Sequence, residues 1–89
     1  MSRDSRWIED QISEVMGYVR GAKSDPSIVG RAEDALEKLR DVAAGQEFPE
    51  KAAVVTSIEA AMAEVQANHA TAAVQHLSRA LMLVSRSRI

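Results

Sequence analysis

Cysteine is absent from this 89-residue chain, aromatic residues make up 3% of it (one Trp, one Tyr, one Phe), and there are only two prolines and four glycines. The lack of cysteine excludes disulfides, thiolate metal sites and cysteine nucleophiles, and it suits a cytoplasmic setting. No long hydrophobic run is present: the longest aliphatic stretch, Ala80 to Val84, is five residues, against the ~20 that a membrane span needs. The opening residues Met1 to Arg6 are polar and charged, with no apolar segment of signal-peptide length behind them, so we expect neither a cleavable export signal nor a membrane partner. Charge of one sign is lacking too. The formal net charge is −2, which argues against an extended nucleic-acid surface.

Strand signals are also missing: there is no period-two run and no Asn-Gly or Asp-Gly hairpin turn. Apolar residues instead recur at helical spacing along the whole chain. Ile8, Ile12, Val15, Met16 and Val19 share one stripe of a first helix over about 3–21. Asp25 and Pro26 form a start signal, cap then first position, for a second helix over about 26–44. Its inward residues are Val29, Ala32, Leu36, Leu39 and Ala43, with Gly45 placed to end it in a left-handed conformation. Pro49 opens a third helix over about 49–67, where Glu50 suits the positive end of the macrodipole. Its stripe is Val54, Val55, Ile58, Ala61, Met62 and Val65. Asn68 and His69 make a short connection or a kink. A fourth helix follows over about 70–86, with Ala73, Val74, Leu77, Ala80, Leu81 and Val84 inward. Short connections make consecutive helices antiparallel neighbours. The expected fold is therefore all-α: one domain over 1–89, a compact bundle of four short helices in two hairpins. A chain this short buries only about 60–65% of its unfolded surface, and many such domains gain stability by dimerising.

Catalytic patterns are not found: no G-x-S-x-G elbow, no phosphate-binding glycine loop and no H-E-x-x-H. His69 and His76 lie about two turns apart without an obvious third ligand, so no metal site is expected. His76 also lacks the lysine-glycine pair that follows the histidine of helical phosphotransfer domains. Glu33, Asp34, Glu37 and Asp41 interleave with Lys38 and Arg40, the pattern of a solvated, ion-paired helix face rather than of a general acid. We expect no enzyme activity, no cofactor and no small-molecule substrate. The spacing Ala73-x3-Leu77-x2-Ala80 is similar to the second helix of a tetratricopeptide repeat. Ser57 and Glu64 stand where the first helix of that repeat has bulky residues, so the pattern does not extend and no family is assigned from it.

Three surfaces stand out. Trp7, Gln11, Glu14 and Tyr18 form an aromatic line on a different side of the first helix from its aliphatic stripe. That line is either a binding surface or a second buried side with Trp7 closing one end of the core. On the fourth helix Met82 and Leu83 lie off the inward stripe, flanked by Gln75, His76, Arg79 and Arg86, a composition closer to an interface than to ordinary surface. The outer side of the third helix carries Ala53, Thr56, Ala60, Ala63 and Ala67. Together they suggest more apolar surface than four short helices can hide. The expected function is a non-enzymatic protein-binding module, adaptor or regulator, whose partner is another protein or a second copy in a homodimer. The candidate contact residues are Trp7, Gln11, Tyr18, Gln75, Arg79, Met82, Leu83 and Arg86. An inhibitor of one protein target, of the immunity, antitoxin or phage-antagonist type, is an alternative. A second alternative, a nucleic-acid-associated protein, is less favoured; it would use Arg79, Arg86 and Arg88, which make the last eleven residues +3.

Overall fold

The computed structural model describes residues 5–47 and 50–87. It contains α1 (Ser5–Ser24), a 3-10 turn (Pro26–Ile28), α2 (Val29–Ala44), α3 (Lys51–Gln66) and α4 (Ala70–Ser87). The fold is an all-α bundle of four helices. Each helix packs on its neighbours in sequence and α1 closes the ring against α4. The α3–α4 contact is the most extensive and the α1–α2 contact the thinnest. Small buried residues sit on both helices of the tighter pair: Ser57 and Ala61 on α3, Ala73 and Ala80 on α4.

The hydrophobic stripes meet in one core. Ile8, Ile12, Val19, Leu36, Ile58, Leu77, Val54 and Val84 are the largest fully buried side chains, each stabilising the fold by roughly 1.5–3 kcal/mol. The radius of gyration is 12.2 Å, against about 12 Å for a compact domain of this length. The accessible surface is 5453 Å², close to the ~5100 Å² of a folded monomer of this mass. Among the described residues only Tyr18 and Met82 are exposed large hydrophobics.

The helix ends differ from expectation in several places. α1 continues through Gly21 to Ser24 and buries Ala22. Gly21 does not terminate the helix; it makes room, since a Cβ there would lie 2.6 Å from Ile28 Cδ1. Asp25 caps as expected, accepting from Ser27 N–H at 3.1 Å and from Ser27 Oγ at 2.6 Å. These two bonds hold its carboxyl below the ordinary carboxylate value. They cap a 3-10 turn, so the α-helix proper begins only at Val29. Gly45 is right-handed, not left-handed, at φ −85°. Its N–H closes the helix by donating to the Asp41 and Val42 carbonyls, both at 3.1 Å. The left-handed residue is Asn68, at φ 66°. There His69 N–H donates to Glu64 O at 2.7 Å and Asn68 N–H to Val65 O at 3.0 Å, the paired bonds of a Schellman cap. Thus 68–69 is a full reversal and not a kink. α3 starts at Lys51 with Glu50 as its cap residue; Phe48 and Pro49 lie outside the described residues, as do Arg3, Arg88 and the ends.

Candidate functional site

α4 turns one face fully outward. Its buried residues Ala73, Leu77, Ala80 and Val84 define the inward pole. Gln75, Arg79, Met82 and Arg86, spaced i, i+4, i+7 and i+11, occupy the opposite pole and are all exposed. Met82 is 59% exposed and lies on the helix between the two arginines, each within about one turn. Leu83 does not belong to this face. It is half-buried and packs against the core. One residue is a 100° step around a helix, and that step carries Leu83 onto a flank of α4 covered by its neighbours. His76 is half-buried as well.

The aromatic line of α1 is split in the same way. Trp7 is half-buried and packs against the core, which fits the reading in which it closes one end of the core. Gln11 is half-buried and Tyr18 is 39% exposed. Gln11, Glu14, Val15 and Tyr18 form the α1 wall of an open groove of about 470 Å³. Arg31, Asp34, Ala35, Lys38, Leu39 and Val42 of α2 form the other wall. The groove follows from the thin α1–α2 contact. Its floor is apolar and its rims carry both signs of charge. The Tyr18 and Met82 surfaces do not meet: Tyr18 faces the α2 side of α1, whereas α4 packs on the other flank, where Ser85 Oγ donates to Glu9 Oε1 at 2.6 Å.

Two features of the site were missed from the sequence. One is the α2 wall of the groove; half-buried Ala35 and Val42, seven residues apart beside the inward stripe, were its available signal. The other lies where the C-terminal end of α1 meets the start of α4. Arg20, Lys23, Ala70, Thr71 and Val74 line a depression of about 200 Å³ there. Beside it Lys23 shares a wider one of about 520 Å³ with Asn68, His69, Ala70, Thr71, Ala72 and Gln75. His69 Nδ1 lies 3.6 Å from Glu64 Oε1.

Among the described residues, no group of three or more His, Cys, Asp or Glu side chains is placed to hold a metal ion. No helix among them is long and apolar enough to cross a membrane. What the exposed surfaces offer is non-covalent contact through an apolar centre with guanidinium groups beside it, and a groove with a tyrosine at its edge. Compared with protein-family models, curated proteins and solved structures, the chain matches none.

Proposed function

We propose that this protein is a non-enzymatic binding module whose principal contact surface is the outer stripe of α4: Gln75, Arg79, Met82 and Arg86. The observation that carries the reading is Met82, a large apolar side chain 59% exposed between two exposed arginines. Such a residue contributes nothing to the core, whereas a methionine with neighbouring arginines gives a partner both area and directional hydrogen bonds. The α1–α2 groove with Tyr18 is a second, separate contact surface, supported by its apolar floor. The partner is another protein or a second copy of the chain; an inhibitor of a single target is one form of the same reading. The absence of cysteine supports a cytoplasmic setting.

The test combines molar mass by light scattering over a concentration series with photo-crosslinking from position 82, and from position 37 on α2 as control. Self-association that Met82→Glu abolishes supports a homodimer through α4. A monomer that crosslinks to a protein from position 82 but not from 37, with loss on Arg79→Glu, supports a different protein. A monomer with equal or no crosslinking from the two positions overturns the assignment of α4.

A further inference from the structure

α4 contains no acidic residue, and its two formal charges, Arg79 and Arg86, are both exposed. The adjoining flank of α1 adds Arg20 and Lys23, also exposed, beside the start of α4. The Glu9–Ser85 hydrogen bond fixes the register of the two helices. Basic residues therefore lie along this side of the bundle, Arg20 and Lys23 beside Thr71, Arg79 midway and Arg86 at the other end, over roughly 22 Å from Thr71 to Arg86 at ~1.5 Å per residue. The acids nearest this face are Asp10, exposed on α1, and Glu9, half-buried with Oε1 held by Ser85. Elsewhere Arg40 lies 3.3 Å from Asp41 and Lys51 lies 3.2 Å from Glu47, while Arg31 and Lys38 on α2 have acidic residues three or four positions away on the same helix. Among the described residues none of Arg20, Lys23, Arg79 and Arg86 makes an ion pair. The far side of the bundle exposes both signs of charge, Arg31 and Lys38 with Asp34, Glu37, Asp41 and Glu59.

Between these cations the face also exposes the small residues Ser13, Gly17 and Ser78, with nothing within 4 Å of where a Gly17 Cβ would stand. Small residues between two helices allow the backbone of a third to approach closely.

Resting on the binding-module reading, we infer that the α1–α4 face docks an acidic amphipathic helix of a partner protein, its carboxylates toward Arg20, Lys23, Arg79 and Arg86 and an apolar residue on Met82. Two observations favour a protein helix over nucleic acid. Met82 gains nothing from a phosphodiester backbone, and Tyr18, the exposed aromatic among the described residues, lies on the opposite flank of α1.

The experiment selects peptides from a random library of helical peptides against the immobilised full chain. It then measures the enriched peptides and a short DNA duplex by anisotropy against the wild type and against Arg79→Glu/Arg86→Glu, Met82→Ala and Tyr18→Ala. The expected result is enrichment of peptides with acidic residues at i, i+3/i+4 and i+7 around one large apolar residue. Their affinity should fall at least about tenfold on double charge reversal and with rising salt, fall several-fold with Met82→Ala, and stay unchanged with Tyr18→Ala. Peptides that are not acidic, or that depend on Tyr18 and not on the arginines, overturn this inference and leave the binding-module reading standing. DNA binding tighter than that of any peptide and lost on charge reversal overturns it in favour of a phosphate partner. Absence of any enrichment overturns this inference, while the binding-module reading stands or falls on self-association and crosslinking from position 82. Arg79→Gln/Arg86→Gln, which removes charge without introducing acid, guards against a folding artefact and should weaken binding less than reversal does.

Discussion

Gly17 sits in the interior of α1 on its exposed face, with no atom near the position of a Cβ. Replacing it by alanine therefore adds a methyl group without a clash and removes the helix-propensity penalty of glycine, about 0.8–1.0 kcal/mol. For an 89-residue chain, an unfolding entropy near 2.1 cal/mol/K per residue gives about 190 cal/mol/K in total, so Gly17→Ala should raise Tm by about 5 °C. Gly21→Ala supplies the internal comparison. It makes the same propensity gain, but its Cβ would meet Ile28 Cδ1 at 2.6 Å. The Ile28 methyl must move by roughly an ångström, at a cost of about 0.5–1.5 kcal/mol, so the net change stays within about 0.7 kcal/mol of zero. Circular-dichroism melts of both variants, with urea titrations to confirm the free energies, check this directly. A Tm for Gly17→Ala at or below wild type would show that α1 is not a continuous exposed helix there. Equal rises in both variants would show that the 3-10 turn does not seat Ile28 over Gly21.

Asp25→Ala should lower Tm at neutral pH. Because hydrogen bonds from Ser27 depress the Asp25 carboxyl below its ordinary value of 3.8, that contribution is complete above this pH and is lost as pH falls through the folded value; the gap between variant and wild type should narrow in acid melts. Asn68→Gly should stabilise by up to about 1 kcal/mol by relieving a left-handed non-glycine residue, and Asn68→Val should destabilise by about 1–2 kcal/mol, both read from urea midpoints. Leu77→Ala, in the core, should cost about 2–5 kcal/mol, whereas Met82→Ala, on the outer face, should stay within about 0.5 kcal/mol of wild type. A comparable loss for both would place Met82 in the core.

The core was readable because helical period alone assigns it. On α4, Ala73, Leu77, Ala80 and Val84 are all buried, and Val74 and Leu81 are half-buried beside them. Period gives the phase of a buried stripe but not its width. α4 packs between α1 and α3, so its covered arc is broad enough to take in Leu83 while Met82, one residue away, stays outside. Trp7 was ambiguous for the same reason, since whether the flank of α1 is covered depends on where α2 lies. Helix ends were misread where one residue type serves two purposes. Gly21 resembles a terminator in sequence but gives clearance to Ile28; Gly45 resembles a left-handed cap, yet Asn68 takes that conformation. The α1–α2 groove was invisible because it arises from the spacing between helices rather than from the residues of either one.

α2 offers an internal comparison for the outer face of α4. Both helices close the same core, bury a stripe of alanine and larger aliphatic residues, and turn one side to solvent. α2 exposes Arg31, Asp34, Glu37, Lys38 and Asp41, charges of both signs along one solvated face, which discourage association. α4 exposes Gln75, Ser78, Arg79, Met82 and Arg86, with no acid to offset the arginines and a methionine in the outward stripe. Packing cannot account for that difference, because none of these side chains belongs to the buried core. Helix propensity cannot either, since glutamate and lysine would serve as well at these positions. A solvated α4 would tolerate Met82→Glu and Arg79→Glu without loss; a docking face would not. The two substitutions, measured for stability and binding in the same samples, therefore separate what the fold requires of α4 from what a partner requires of it.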